Sequence, residues 1–333
     1  MPGSASSASS SRKRTCSEQV RVADLAVQIG SLTFRNPVLA ASGTFGYGLA
    51  FEGLVDLEAL GGIVFKSLTV EPRAGNPAPR IAETPSGLLN SIGLENPGLQ
   101  AFLDDVLPRA ASLPTARIAS IAGESVGDFE TLAGALDPHD ALDALEVNVS
   151  CPNQEAGGMT FGVDPALTAR VTAAVRRCWS RTLIVKLTPN VTDMAPVAQA
   201  AEAEGADAVA LVNTFQGLAV DWRRRRPAIH GIEGRGGLSG PAVKPMALRF
   251  VHDVYKAVGI PVVGMGGIVT AGDAMEFVVA GASAVQVGTA HFMDPKASEI
   301  LARDLEVQLD GTPEPILRRW IGALRSTFPA VEK

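Results

Sequence analysis

A single (β/α)8 TIM barrel of the α/β class is the fold that the sequence predicts, and three observations predict it. Short apolar runs bounded by turn residues recur roughly every thirty residues. Stretches with apolar residues at helical spacing lie between them. Each run ends in chemically distinctive residues, and in a barrel all the C-terminal strand ends meet at one mouth, where active sites are built.

The runs are NPVLAAS (36–42), GGIVFKS (61–67), ARIASIAG (116–123) and ALEVNVS (144–150), followed by TLIVKLT (182–188), ADAVALVN (206–213), IPVVGMGG (260–267) and SAVQVGT (283–289). Each reads as apolar along its length, the pattern of a parallel strand covered on both faces. Between them, DPALTARVTAAVRRCW, DMAPVAQAAEAEGA and GDAMEFVVAGA carry helical spacing, and glycines close several such stretches as helix C-caps do. The run ends bring Ser42-Gly43, Lys66-Ser67, Ser120, Asn148 with Cys151, Lys186, Asn213-Thr214, Gly266-Gly267 and Gly288-Thr289 towards one pocket.

Composition narrows the class of function. A length of 333 residues suggests roughly two domains as a prior, although α/β barrels of this size are single domains. Hydrophobic content of 46% with 19% charged residues suits a large core. The net charge of −6 argues against general nucleic-acid or anionic-membrane binding, and the local cluster Arg223 to Arg226 reads as a solvated loop. Residues 1–19 are Ser-rich, lack a signal-peptide apolar core and read as a disordered tail before one domain over 20–333. No apolar run approaches the ~20 residues of a membrane span, so a soluble, cytoplasmic protein is expected.

Three cysteines, Cys16, Cys151 and Cys178, form no disulfide framework and cannot supply four thiolates to an iron–sulfur cluster. The nearest string to a dinucleotide fingerprint, GRGGLS from Gly234, lacks the last glycine and follows no strand. Any electrons handled here therefore leave through a small acceptor or a partner.

The glycines after the last two runs point to a phosphate-bearing ligand, because barrels commonly bind phosphate there with exposed backbone N–H groups. Lys66 and Lys186 each end an apolar run, and two lysines aimed at one mouth suit an anion, or a cofactor that becomes anionic when reduced. Cys151 sits at a strand end before Pro152 in a Gly-rich loop, a place for a thiol that attacks or accepts a proton. None of His139, His230, His252 and His291 is an obvious partner for it, and Cys178 beside Trp179 reads as packing.

Taken together, GNPAPRIAETPSGLLNSIGLENPG, EVNVSCPN, VKLTPNVTD, LVNT, GGLSGPAVKP, GMGGI and GASAVQVGTA resemble the class 1 dihydroorotate dehydrogenases, from about Val27 to about Pro295. VNT, LSGPAVKP and GMGGI are more similar to subclass 1B than to the fumarate-reducing subclass 1A. The resemblance implies an FMN-containing barrel that oxidises dihydroorotate to orotate in pyrimidine biosynthesis. It also implies a partner subunit carrying FAD and a [2Fe–2S] cluster, which passes electrons to NAD, around a homodimer core within a heterotetramer. Carried over, Cys151 matches the catalytic base. Lys66, Asn90, Ser91, Ile92, Gly93, Leu94, Asn148, Asn213 and Thr214 match substrate contacts. Ser42, Lys66, Ser67, Asn148, Lys186, Val212, Gly240, Gly266, Gly267, Gly288 and Thr289 match FMN contacts, and no metal site is implied. Three positions depart from the 1B pattern: Ser120 stands where asparagine is usual, Thr44 replaces a cysteine, and the loop DWRRRRPAIHGIEGRGG is longer and more basic. The alternatives are a fumarate-reducing class 1A dihydroorotate dehydrogenase and a non-catalytic barrel for a phosphorylated ligand.

Overall fold

The computed structural model describes residues 24–150, 152–153, 159–309 and 317–325. The expected tail at 1–19, Cys16 and Cys151 lie outside the described residues. Eight parallel strands close into a barrel in chain order: β1 (Val38–Ala40), β2 (Gly62–Val64), β3 (Ala116–Ile121), β4 (Ala144–Asn148), β5 (Thr182–Lys186), β6 (Ala208–Leu211), β7 (Val262–Met265) and β8 (Ala282–Val287), with β8 pairing back onto β1. Each falls inside or within one residue of an apolar run read from the sequence.

Among the described residues six α-helices of nine or more residues pack outside the barrel: α1 (Val126–Leu136), α2 (Pro165–Cys178), α3 (Ala195–Ala203), α4 (Lys244–Tyr255), α5 (Ala271–Ala280) and α6 (Ala297–Gln308). Their ends are written in the sequence. Ser125 with Asp128, and Thr270 with Asp273, form capping boxes that satisfy the first N–H groups of α1 and α5. Asp164 caps α2 ahead of Pro165, whose fixed φ and missing N–H suit the first helical position. Leu167, Val171, Ala174 and Val175 turn one face of α2 into the core, as their spacing requires. Cys178, its last residue, packs half-buried against the core next to the fully buried Trp179. A further helical segment at 99–110, with a π-turn over Phe102–Val106, connects β2 to β3.

Two expectations need correction. The connection after β1 carries short 3-10 turns at Leu49–Phe51 and Leu57–Ala59 in place of an α-helix. Gly46, Gly48 and Gly53 all adopt positive φ there, which breaks a continuous helical run. The strands are also not apolar throughout, because Glu146 in β4 and Gln286 in β8 are mid-strand and buried.

Additions at either end decide where a ligand can enter. The hairpin of Val27–Ile29 with Leu32–Phe34 closes the N-terminal end, where the Ser31 N–H donates to Thr182 Oγ1 at the start of β5 (3.2 Å). The opposite end is partly roofed by a four-stranded antiparallel sheet in the order Phe215–Leu218, Arg235–Ser239, Gly87–Asn90, Ile81–Thr84. Two of its strands come from the excursion after β2 and two from that after β6. Among the described residues no helix is long and apolar enough to cross a membrane.

Candidate active site

The side chains expected at the mouth gather in three groups there. The first lies over β1 to β3. Ser42 Oγ is 3.4 Å from Ser67 Oγ, which lies 2.8 Å from the fully buried Ser120 Oγ. Lys66 is half-buried beside them and makes no ion pair or side-chain hydrogen bond among the described residues. Burial lowers its pKa below the ordinary lysine value; the Glu95 carboxylate pulls it back up, and Arg80 adds to the lowering. It is a cation held at the mouth without a carboxylate of its own.

The second group lies over β4 to β6. Asn213 Nδ2 donates to Asn148 Oδ1 (3.2 Å) and to Ser150 Oγ (2.9 Å), and Asn148 Oδ1 also accepts from the Ser150 N–H (3.1 Å). The Asn148 amide NH2 has no protein acceptor among the described residues, which leaves a donor free for a ligand. Asn90, in the roof, donates to the Gly237 carbonyl (3.2 Å). A Cβ on Gly237 would collide with Thr214, so the glycine lets the roof settle onto that side chain. Ser91 donates to the His230 carbonyl, Ile92 accepts from the Asn76 N–H (2.9 Å), and Gly93 and Leu94 both take positive φ (77° and 54°). Leu94 in that region is strained, and the Leu94 carbonyl is held by Asn96 Nδ2 (2.7 Å). Lys186, at the end of β5, is 6% exposed and sits 3.4 Å from Glu146.

The third group lies over β7 and β8. Gly266 and Gly267 take φ of 124° and 78°, and a Cβ on Gly267 would lie 2.8 Å from the Gly240 carbonyl. Val212 lies beside Gly266, its N–H donating to the Met265 carbonyl (3.0 Å). Thr289 Oγ1 donates to Ser239 Oγ (2.8 Å), tying the end of β8 to the roof. Among the described residues the N–H groups of Gly267, Gly288 and Thr289 find no protein acceptor. A Cβ on Gly288 would meet only Ala41 and Thr44, at 3.7 and 3.9 Å, so no protein contact demands glycine there. Open backbone donors beside open space fit a phosphate ester, with the free Lys66 and the Asn148 amide left for the rest of a planar, polar molecule such as FMN and its substrate.

The sequence reading thus brings all three groups to one face. It missed Glu146 and Gln286, although both interrupt apolar runs, and it missed the tie between Thr44 and His291. His291 is buried, 3.2 Å from Thr44 Oγ1 through Nδ1 and 2.8 Å from Ser298 Oγ through Nε2. Burial pushes its pKa down from 6.5 to about 4, so it is a neutral bracket between the β1 loop and α6. The Arg223 to Arg226 loop is exposed, with Arg224 paired to Asp221 (3.0 Å). Among the described residues no three His, Cys, Asp or Glu side chains gather as a metal site.

Comparison with known proteins matches this arrangement to one family. The sequence profile described as dihydroorotate dehydrogenase covers residues 24–309. The chain is 51% identical over 300 residues to the dihydroorotate dehydrogenase B (NAD(+)) catalytic subunit of Trichlorobacter lovleyi, covering 90% of this chain and 98% of that one. It is 50% identical over 302 residues to the protein of the same name from Desulforudis audaxviator, covering 91% and 98%. With that of Phocaeicola vulgatus the identity is 48% over 303 residues, covering 91% and 99%. The resemblance to subclass 1B is therefore borne out across nearly the whole length of these relatives.

Proposed function

The chain belongs to the dihydroorotate dehydrogenase family, and from that premise we propose that it oxidises (S)-dihydroorotate to orotate in de novo pyrimidine (UMP) biosynthesis. In this reading it is the FMN-binding catalytic subunit of a cytoplasmic enzyme whose electrons end on NAD. The observation that carries the reading is the meeting, at one barrel mouth, of an unpaired Lys66, the Asn148–Asn213 amide pair and the open N–H groups of Gly267, Gly288 and Thr289.

Those residues divide the work. The open N–H groups and Gly240 hold the phosphate, while Ser42, Ser67, Lys66, Asn148, Lys186, Val212 and Gly266 surround the remainder of the FMN. Bound FMN supplies a hydride acceptor. Asn90, Asn148, Asn213 and Thr214 offer amide and hydroxyl groups that match the imide and carboxylate edges of a dihydropyrimidine. Ser91 to Leu94 form the adjoining wall. Lys66 offers its ammonium to the substrate carboxylate, and Lys186 places positive charge where negative charge grows during reduction. Cys151, three residues after the end of β4 in the sequence, takes the proton from carbon 5 of the substrate as the hydride departs from carbon 6. The roof over β2 and β6 limits access of water to that proton transfer. A partner subunit bearing FAD and a [2Fe–2S] cluster completes the route to NAD, around a homodimer core within a heterotetramer.

Replacing the thiol tests the reading. Cys151→Ser should still bind FMN and orotate, yet be reduced by dihydroorotate about 10²- to 10⁴-fold more slowly, since a serine hydroxyl is a far weaker base. Stopped-flow reduction at the wild-type rate across pH would refute the assignment of the base. A colourless native protein that takes up no FMN on reconstitution would refute the cofactor.

A further inference from the structure

The interior of the barrel beneath the mouth holds two buried polar residues, Glu146 and Gln286, with no part in the residue roles above. Gln286 Nε2 donates to Glu146 Oε2 over 2.6 Å. β4 and β8 stand four strands apart in the closed barrel, so this bond crosses its interior. Glu146 is fully buried and Gln286 is 1% exposed. In the parallel register Glu146 lies opposite Ile184 of β5, and Lys186 is two residues further on, so its side chain points the same way and one layer nearer the mouth. Its Nζ is 3.4 Å from Glu146 Oε1, an atom with no hydrogen bond of its own. Lys186 donates no side-chain hydrogen bond among the described residues.

A carboxylate or an ammonium this deep is tolerated only when paired. Glu146 therefore has Lys186 as its counter-ion, while Gln286 fixes the carboxylate from across the barrel. The lysine ends up buried beside its counter-ion with its hydrogen-bond donors uncommitted among the described residues. We infer that Glu146 is a positioning residue for the reaction: paired with Lys186 at 3.4 Å, it holds that buried amine under the flavin. Without the carboxylate, the buried amine loses its counter-ion and is no longer held where its positive charge favours an anionic reduced cofactor. This role rests on the proposal that FMN occupies the mouth.

The test is a double-variant cycle on the holoenzyme. Glu146→Gln should lower the midpoint potential of the bound FMN and slow its reduction by dihydroorotate at least tenfold, as Lys186→Met does. In Glu146→Gln/Lys186→Met the potential should equal that of Lys186→Met alone. Thermal unfolding of the apoproteins gives a readout independent of the flavin: the double variant, which strands neither charge, should melt higher than the less stable single variant. The double variant also stands in should Glu146→Gln fail to fold. An unchanged or raised potential in Glu146→Gln, or a double variant lower than Lys186→Met, overturns the role, as do additive unfolding effects. A wild-type protein that binds no FMN overturns the functional reading and this role with it. A protein that binds FMN and keeps the wild-type potential in Glu146→Gln overturns this role alone.

Discussion

The two mouth lysines look alike in sequence, each closing an apolar run, yet the fold gives them opposite energetics. Lys66 is half-buried with no carboxylate bonded to it, so its desolvation, seen in the lowered pKa, is offset mainly by the more distant Glu95. Lys186 is paired with Glu146 at 3.4 Å and almost fully buried. Truncation should separate them. Lys66→Met removes a desolvated charge and breaks no ion pair, so the unfolding free energy should stay within about 0.5 kcal/mol of wild type or rise. Its cost should fall on binding instead, with orotate affinity down at least tenfold, about 1.4 kcal/mol, for loss of a charge-assisted contact. Lys186→Met strands a buried carboxylate and should cost about 3–5 kcal/mol of stability. Denaturant unfolding and orotate titration of both variants check the pair. Equal destabilisation by the two substitutions would mean that Lys66 has a structural partner in the folded protein.

At the scale of elements, the turns after β7 and β8 both carry glycine, for different reasons. Gly267 is dictated by the protein: its φ of 78° and the Gly240 carbonyl 2.8 Å from a Cβ leave no room for a side chain. Gly288, at φ −119° with only 3.7 and 3.9 Å contacts, is not. Gly267→Val should therefore impair folding, whereas Gly288→Val should fold and weaken FMN binding at least tenfold, read by flavin fluorescence on titration of the apoprotein. Full FMN affinity in Gly288→Val would place the phosphate elsewhere. The turn after β8 also carries a pH-dependent bracket. His291 is neutral when folded because burial holds its pKa at about 4, while the unfolded side chain titrates near 6.5. The unfolded state therefore binds the extra proton first, and stability present above pH 6.5 is lost as pH falls towards 4, by about 3 kcal/mol. His291→Gln, which can still reach Thr44 and Ser298, should flatten that part of a stability profile measured by denaturant unfolding between pH 7 and 4. These elements also show what one sequence reveals. The barrel strands were legible because strands covered on both faces read as unbroken apolar runs. The helices α2, α3 and α5 were legible from the helical spacing of their apolar residues. The pairing of Glu146 with Gln286, and of Thr44 with His291, was not, because these partners lie 140 and 247 positions apart and nothing local says which residues meet. The roof sheet was hidden for the same reason: its strands come from two excursions that meet only once the barrel closes.

At the scale of the whole molecule, the question is where the electrons go after the substrate is oxidised. The chain has three cysteines, too few for four thiolate ligands even if all of them converged, and Cys151 is assigned to proton transfer. No G-x-G-x-x-G string occurs in the sequence, so the Rossmann fingerprint for a dinucleotide is missing. In the proposed reading FMN and substrate fill the barrel mouth. The relatives that match nearly end to end carry the words catalytic subunit in their names, which supports a second chain for the last transfer. Ser120 argues the other way. It sits fully buried in the Ser42–Ser67–Ser120 hydroxyl chain, where 1B proteins usually have asparagine and 1A proteins can have serine. One short side chain is more easily exchanged than the strings after β6 and β7, so the NAD-linked reading outweighs it. The purified chain should therefore reduce its own flavin with dihydroorotate in a single turnover and then stop when offered NAD. It should turn over slowly at most with fumarate, and resume with NAD once a partner bearing FAD and a [2Fe–2S] cluster is added. Steady-state assays with each acceptor, with and without the partner, decide the matter. Brisk turnover with fumarate alone would make Ser120 the better guide, and NAD reduction by the single chain would remove the need for a partner.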